Sequence, residues 1–321
     1  VRPADRLLPA SGEADDAAMR AMRRSEADAP VSVDVEGSES GLDALLPPAM
    51  ARRAEEIGVR KVALAPTRLF ALAVLAGAFI ALGGAFATTA AAGAGTAPWG
   101  AVRALVGVAF SLGLVLVLVG GAELFTGNNL IVMAWASGRV ESRAVLRNWT
   151  IVFAGNAVGA IVTALVVCAA GTHRFGGGEW GVTAIATASA KLELGFGRAV
   201  ALGVLCNALV CLAVWMTYSA RTTTDRILAI VPPISAFVAT GFEHSIANLY
   251  FVPLGIFVAV FDPAFVAAGA MAGQADSLTW TGFVVRNLVP VTLGNVVGGS
   301  LLVGVVYWFV YLWPRSAGED G

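Results

Sequence analysis

The chain has 321 residues, 57% of them hydrophobic and 13% charged, whereas a soluble domain carries about 25% charged residues. That composition excludes a soluble globular protein and indicates an all-α polytopic membrane protein. The 21 basic and 22 acidic residues give a formal net charge of −1, and they are crowded near the N-terminus and into short loops, so nothing in the balance favours nucleic-acid binding.

Residues 1–41 are rich in Asp, Glu, Ser, Ala and Pro and lack aromatic residues. Such a segment cannot bury enough apolar surface to offset its ordering entropy, so it is expected to be a disordered acidic tail. No apolar run follows its arginines as a signal peptide would require. Residues 42–66 set Leu42, Leu45, Met50, Ala54 and Ile57 against Arg52, Arg53, Glu55, Arg60 and Lys61, a pattern that predicts an amphipathic helix lying on the membrane surface.

Six apolar segments follow within residues 67–313, at about 67–91, 103–136, 149–170, 198–219, 227–261 and 283–313, and residues 314–321 form a short tail. A span needs about 20 residues, so the second and fifth segments are too long for one straight helix. Both carry a polar interruption, Gly121–Asn128 in one and Gly241–Asn248 in the other, with Gly first, Glu two residues on and Asn seven on. Each is therefore read as two half-helices joined by a non-helical break at membrane depth, which protein or a water-filled cavity must surround. Basic residues bias both termini to the cytoplasm. That topology runs the second and fifth segments in opposite directions. A second match, Gly155-Asn156-Ala157-Val158-Gly159 against Gly294-Asn295-Val296-Val297-Gly298, makes the halves inverted copies, an arrangement associated with transporters.

Ionisable residues at membrane depth are functional-site candidates by default. His244 and Thr126 supply side-chain donors at the breaks, where half-helix N-termini favour an anion. His244 is also the pathway side chain whose ordinary pKa, about 6.5, lies near neutrality, so it could relay a proton, donate a hydrogen bond, or only support the break. Glu123, Glu243, Asn128 and Asn248 are assigned to supporting the breaks. Asn207 and Asn295 read either as interhelical glue or as pore lining. Lys191 reads as a loop residue, solvated or gathering anions at an entrance, and His173 as a surface histidine. Cys168, Cys206 and Cys211 read as packing residues, and no metal site or cofactor is expected.

Taken together, Gly121–Asn128, Asn148-Trp149, Gly155-Asn156, Leu205–Met216, Gly241–Asn248 with Pro253-Leu254-Gly255, and Pro290–Gly299 resemble the formate/nitrite transporter family, most of all its formate-channel branch. The resemblance runs from about Leu42 to Trp313. It implies a homopentamer in a bacterial inner membrane, each protomer having an aquaporin-like six-span fold with its own pore for small monovalent anions. By the same resemblance His244 is the central pore histidine with Thr126 as partner, Lys191 is the basic residue of the outer vestibule, and Asn207 and Asn295 line or support the central chamber. Leu114, Leu124 and Phe125 would form a cytoplasmic-side constriction and Phe110, Val210 and Phe237 a periplasmic-side one. Gly127-Asn128-Asn129 departs from the formate branch just after the first break. The reading is a formate channel or proton-coupled formate transporter, with nitrite and hydrosulfide as alternative substrates. A membrane enzyme built on Glu243, His244 and Ser245 is disfavoured because neighbouring residues on a helix do not face one another, and a polyol channel because a paired Asn-Pro-Ala motif is absent.

Overall fold

A computed structural model describes residues 44–269 and 271–313. The acidic tail 1–41, the first residues of the amphipathic segment and the tail 314–321 lie outside the described residues. The described chain is helical. Five helices are long and apolar enough to cross a membrane: α2 (Pro66–Ala91), α3 (Trp99–Gly120), α4 (Ser142–Ala169), α6 (Phe196–Ser219) and α9 (Trp280–Tyr311). Helices α7 (Thr223–Thr240) and α8 (Ser245–Phe261), bent by 52° at the second break, are together long and apolar enough for a further span. Two further helices, α1 (Pro47–Ala63) and α5 (Glu179–Leu192), are not apolar enough to span.

Glycines let the spans approach closely. Any Cβ at Gly159 would run into the carbonyl oxygen of Val74, and one at Gly298 into that of Val204, so α4 lies on α2 and α9 on α6 at backbone contact. These pairs contain the Gly-Asn motifs that match in the sequence, and they carry Asn156 and Asn295 to the two breaks.

The breaks begin alike and continue differently. Helix α3 ends at Gly121, with φ 81°, and α7 at Gly241, with φ 78°, left-handed conformations that glycine adopts without steric cost. Past the second break α8 runs for 17 residues, its first turn capped by His244, which accepts the backbone N–H of Ala247. Leu124 stands where His244 does and cannot accept. The chain past the first break accordingly has no side-chain cap and winds as a 3₁₀ turn, Gly127–Ile131, before a short helix, Val132–Ala136.

Helix α1 is not laid on lipid by its apolar face. Met50, Ala51, Ala54 and Gly58 are buried against protein, in a cluster with Met133, Cys211, Val214, Trp215 and Tyr218. The segment holding Lys191 is helix α5 rather than a loop. Nor is His173 a surface residue: it is buried, its Nε2 2.9 Å from Asp262 Oδ2, with its ring in edge contact with Phe265.

Candidate functional site

Each break is held by one asparagine, reached across a glycine-lined helix contact. Asn156 accepts the backbone N–H of Phe125 at 2.9 Å and donates to the carbonyls of Ala73 and Glu123. Asn295 accepts the N–H of Ser245 at 2.9 Å and donates to the carbonyls of Gly203 and Glu243. Two residues earlier, Glu123 N–H donates to Leu72 O and Glu243 N–H to Leu202 O. Polar groups freed by ending a helix inside a membrane are thus satisfied by protein, as a spanning segment requires.

The two glutamates turn away from this backbone into matching polar clusters. Lys61 of α1 donates to Glu123 at 2.7 Å, Asn128 to Glu123 at 2.8 Å and to Asn148 at 2.9 Å, and Asn148 to the carbonyl of Lys61 at 3.2 Å. Lys191 of α5 donates to Glu243 at 2.9 Å, Asn248 to Glu243 and Asn287 at 2.7 Å each, and Asn287 to the carbonyl of Lys191 at 3.0 Å. In both clusters a buried carboxylate meets its cation with further hydrogen bonds, the condition under which a desolvated pair is tolerated. The side-chain bonds that Glu123, Glu243, Asn128 and Asn248 make run to one another and to the lysines and asparagines of these clusters, and not to the freed N–H groups of the breaks. Lys61, Asn148 and Asn287 complete the clusters; Asn148 figures in the sequence only through the Asn148-Trp149 motif, and neither Lys61 nor Asn287 stands out there as a site residue. Lys61 precedes Leu72 by the same interval as Lys191 precedes Leu202, a third repeat that could have identified it.

Where the halves differ, the chemistry appears. Leu124, Phe125 and Thr126 of the first break stand opposite His244, Ser245 and Ile246 in register. Thr126 and His244 are both buried, and Thr126 Oγ1 lies 3.1 Å from His244 Nε2. Because Nδ1 of His244 accepts the Ala247 N–H at 3.1 Å, the proton of the neutral ring is on Nε2, which donates to Thr126 Oγ1. The threonine hydroxyl hydrogen is left to donate elsewhere.

One cavity reaches Leu124 and Gly127 on either side of Thr126, which itself lines neither, and another reaches His244. The first, about 230 Å³, is lined by Lys61, Glu123, Leu114, Leu124 and Asn128, among others. The second, about 790 Å³, is lined by Lys191, Glu243, His244, Phe110 and Phe237, among others. Phe110 and Phe237 meet edge-on with centroids 5.7 Å apart, and Phe237 stacks on His244 at 5.9 Å. Phe125 packs instead on Trp149 and Phe153, and neither it nor Val210 lines either of these two cavities. The same holds for Asn207 and Asn295. Asn207 is fully buried and donates to Asn129 and to the carbonyls of Thr126 and Asn295, which ties the two breaks together. Arg103 lines the larger cavity with its guanidinium on the carbonyls of Val238 and Ala239, capping the end of α7.

Residues 48–309 match the family model described as formate/nitrite transporter. The chain belongs to the formate/nitrite transporter family. It is 45% identical to the formate channel FocA of Escherichia coli K12 over 277 residues, covering 86% of this chain and 97% of that one, and 40% identical to FocA of Haemophilus influenzae, covering 82% and 93%. Among solved structures it is similar to a pentameric formate channel with formate bound, with a TM-score of 0.73 at 44% identity over 77% of this chain and 98% of that one. An ion channel of the same family aligns with a TM-score of 0.69 at 27% identity, covering 82% and 98%. These relatives are channels and transporters, not enzymes.

Proposed function

We propose that the chain is a formate channel of a bacterial inner membrane, assembled as a homopentamer with a pathway in each protomer. The observation that carries this reading is the buried Thr126–His244 pair, with one cavity reaching His244 and another reaching Leu124 and Gly127 beside Thr126, in a chain 45% identical to FocA. The matched clusters and matched glycine contacts support halves that are inverted copies with an aquaporin-like topology, and the distribution of basic residues supports cytoplasmic termini.

A small anion leaving the Lys61 cavity meets Leu114 and Leu124, and one leaving the Lys191 cavity meets Phe110 and Phe237. Stripping a monovalent anion of water at such apolar walls costs several kcal/mol, and only a donor directly beyond them offsets that cost. The Thr126 hydroxyl is that donor, and His244 orients it by occupying its acceptor side. Asn207 and Asn295 hold the two break backbones in register with the pair. His244 serves here as a donor with a fixed tautomer: a second proton on Nδ1 would displace the Ala247 N–H and uncap α8, so proton transfer through the ring is disfavoured. Lys191 and Lys61 bias their cavities toward anions while their glutamates hold them in place.

The test is formate uptake by proteoliposomes containing wild type or His244→Asn. The variant, folded and of wild-type oligomeric size, is expected to carry formate at least about tenfold more slowly, because the Thr126 hydroxyl is no longer oriented to give the anion its charge-assisted hydrogen bond, with an unchanged pH profile between about pH 5 and 8. A displaced profile would assign His244 a proton-relay role. Undiminished flux at every pH would remove it from the pathway.

A further inference from the structure

We infer that the cavity on the α1 side also binds a small multivalent oxyanion, a soluble molecule with two or more carboxylate or phosphate groups, which is held there and not passed. Arg53, Ile57 and Lys61 follow one another at four-residue intervals on α1, one helix face, and all three line this cavity. Arg226 of α7 lines it too, beside Thr217 and Tyr218 at the end of α6. The charge of Lys61 is taken up by Glu123, and Glu123 is the sole carboxylate residue in the lining. Arg53 and Arg226 are half-buried, and their guanidinium groups have no hydrogen-bond or ion-pair partner among the described residues.

The larger cavity is built differently. There Glu193 and Glu243 accompany Arg103, Lys191 and Arg198, Lys191 is paired with Glu243, and Arg103 is spent on helix carbonyls. Of the two cavities, the smaller is the one lined by two half-buried arginines that have no partner among the described residues. Each guanidinium can take an oxyanion through two parallel hydrogen bonds, so two arginines lining one space of about 230 Å³ favour a small ligand with two such groups over one with a single charge. Leu114 and Leu124 line the same space. A doubly or triply charged molecule loses far more solvation there than a monovalent one, so it occupies the cavity without crossing and competes with monovalent anions approaching from that face. The competition rests on the transport reading above; the binding does not.

The probe is citrate, with acetate as the monovalent control, titrated calorimetrically into the solubilised full-length protein and into Arg53→Gln, Arg226→Gln and the double variant. Citrate is expected to bind wild type, to lose at least about tenfold in affinity in each single variant, and to show no detectable binding in the double variant, with the oligomer intact. In phosphatidylcholine vesicles citrate should inhibit formate flux from one face, and the double variant should lose that inhibition while its flux without citrate is retained. Equal citrate affinity in wild type and double variant, or no binding to wild type, overturns the site. Arginine-dependent binding without inhibition from either face overturns the block. Arginine-dependent binding to a wild-type protein that carries no formate overturns the transport reading and leaves the site standing.

Discussion

His244 does two jobs with its two ring nitrogens, and the backbone assigns them. Nδ1 caps α8 by accepting from Ala247, which leaves Nε2–H for Thr126 Oγ1. Both residues are legible in the sequence because a polar side chain inside an apolar span demands a reason. The cap is not, since it depends on the extended backbone of His244, φ −112° and ψ 113°. Removing the acceptor while keeping the shape isolates the pair. Thr126→Val leaves a buried Nε2–H without a partner, at a cost of about 1–3 kcal/mol, and removes the hydroxyl donor, so formate uptake should fall by at least about tenfold. Thr126→Ser restores both groups and should recover most of the flux. Equal uptake by the two variants would show that the hydroxyl has no part in transport.

At the scale of elements, each break is a backbone interruption fixed by one asparagine and one lysine–glutamate cluster. The breaks stand out in the sequence as Gly-x-Glu at membrane depth, and their asparagines as the Gly-Asn repeats. Lys61 does not, and Lys191 stands out only as an entrance charge and not as the partner of Glu243, because they reside on α1 and α5, helices whose Ala, Gly and charged residues read as surface or loop until their contacts are seen. Helix α5 buries Ala184, Ala188 and Leu192 at four-residue spacing, a stripe too weakly apolar to separate from a loop by composition. The energetic role of such a cluster shows in a double-mutant cycle. Lys61→Met abandons a buried carboxylate and should destabilise by about 3–5 kcal/mol; Lys61→Met/Glu123→Gln, with no charge left to strand, should recover most of that. Thermal unfolding in detergent measures both, and additive losses would deny the coupling. A different cluster pins the corner where α8 ends. Asp262 accepts the Phe265 N–H and bonds His173 and Arg174, and those two partners hold its carboxyl down at about 2. A depressed carboxylate stabilises the fold above its unfolded pKa, about 3.9, and loses that contribution as pH falls toward the folded one. The stability advantage of wild type over Asp262→Asn should therefore be full above about pH 4 and shrink toward pH 2; a constant difference across that window would mean that Asp262 acts by geometry alone.

For the whole molecule, the membrane makes length and hydropathy decisive, and so five of the six apolar stretches coincide with four of the spanning helices and the bent α7–α8 pair, while the second is spanned only as far as Gly120 and its remainder is the first break with the short turns that follow it. What surrounds them is not written in those patterns. In the spanning windows 39–50% of residues are buried within one chain, and large apolar side chains such as Leu165 and Val166 on α4 and Leu301 and Leu302 on α9 remain exposed. Lipid and a neighbouring protomer are equally apolar partners for them, so sequence pattern cannot divide the two. The pathway proposed here lies inside one chain, because Thr126 and His244 meet within it. That location fixes how a mixed assembly must behave. Gentle solubilisation should yield a particle of five 32.9-kDa chains plus detergent, and co-expression of wild type with the impaired Thr126→Val chain should give pentamers of every composition. If each protomer conducts through its own pair, formate flux per particle will fall in direct proportion to the fraction of variant chains. If the chains shared one route along the common axis, a single variant would disturb the whole ring, and flux would drop much more steeply than that fraction. Tagging the two chains differently and measuring uptake across a series of mixing ratios separates a straight line from a steep curve, and a steep curve would overturn the one-pathway-per-protomer arrangement.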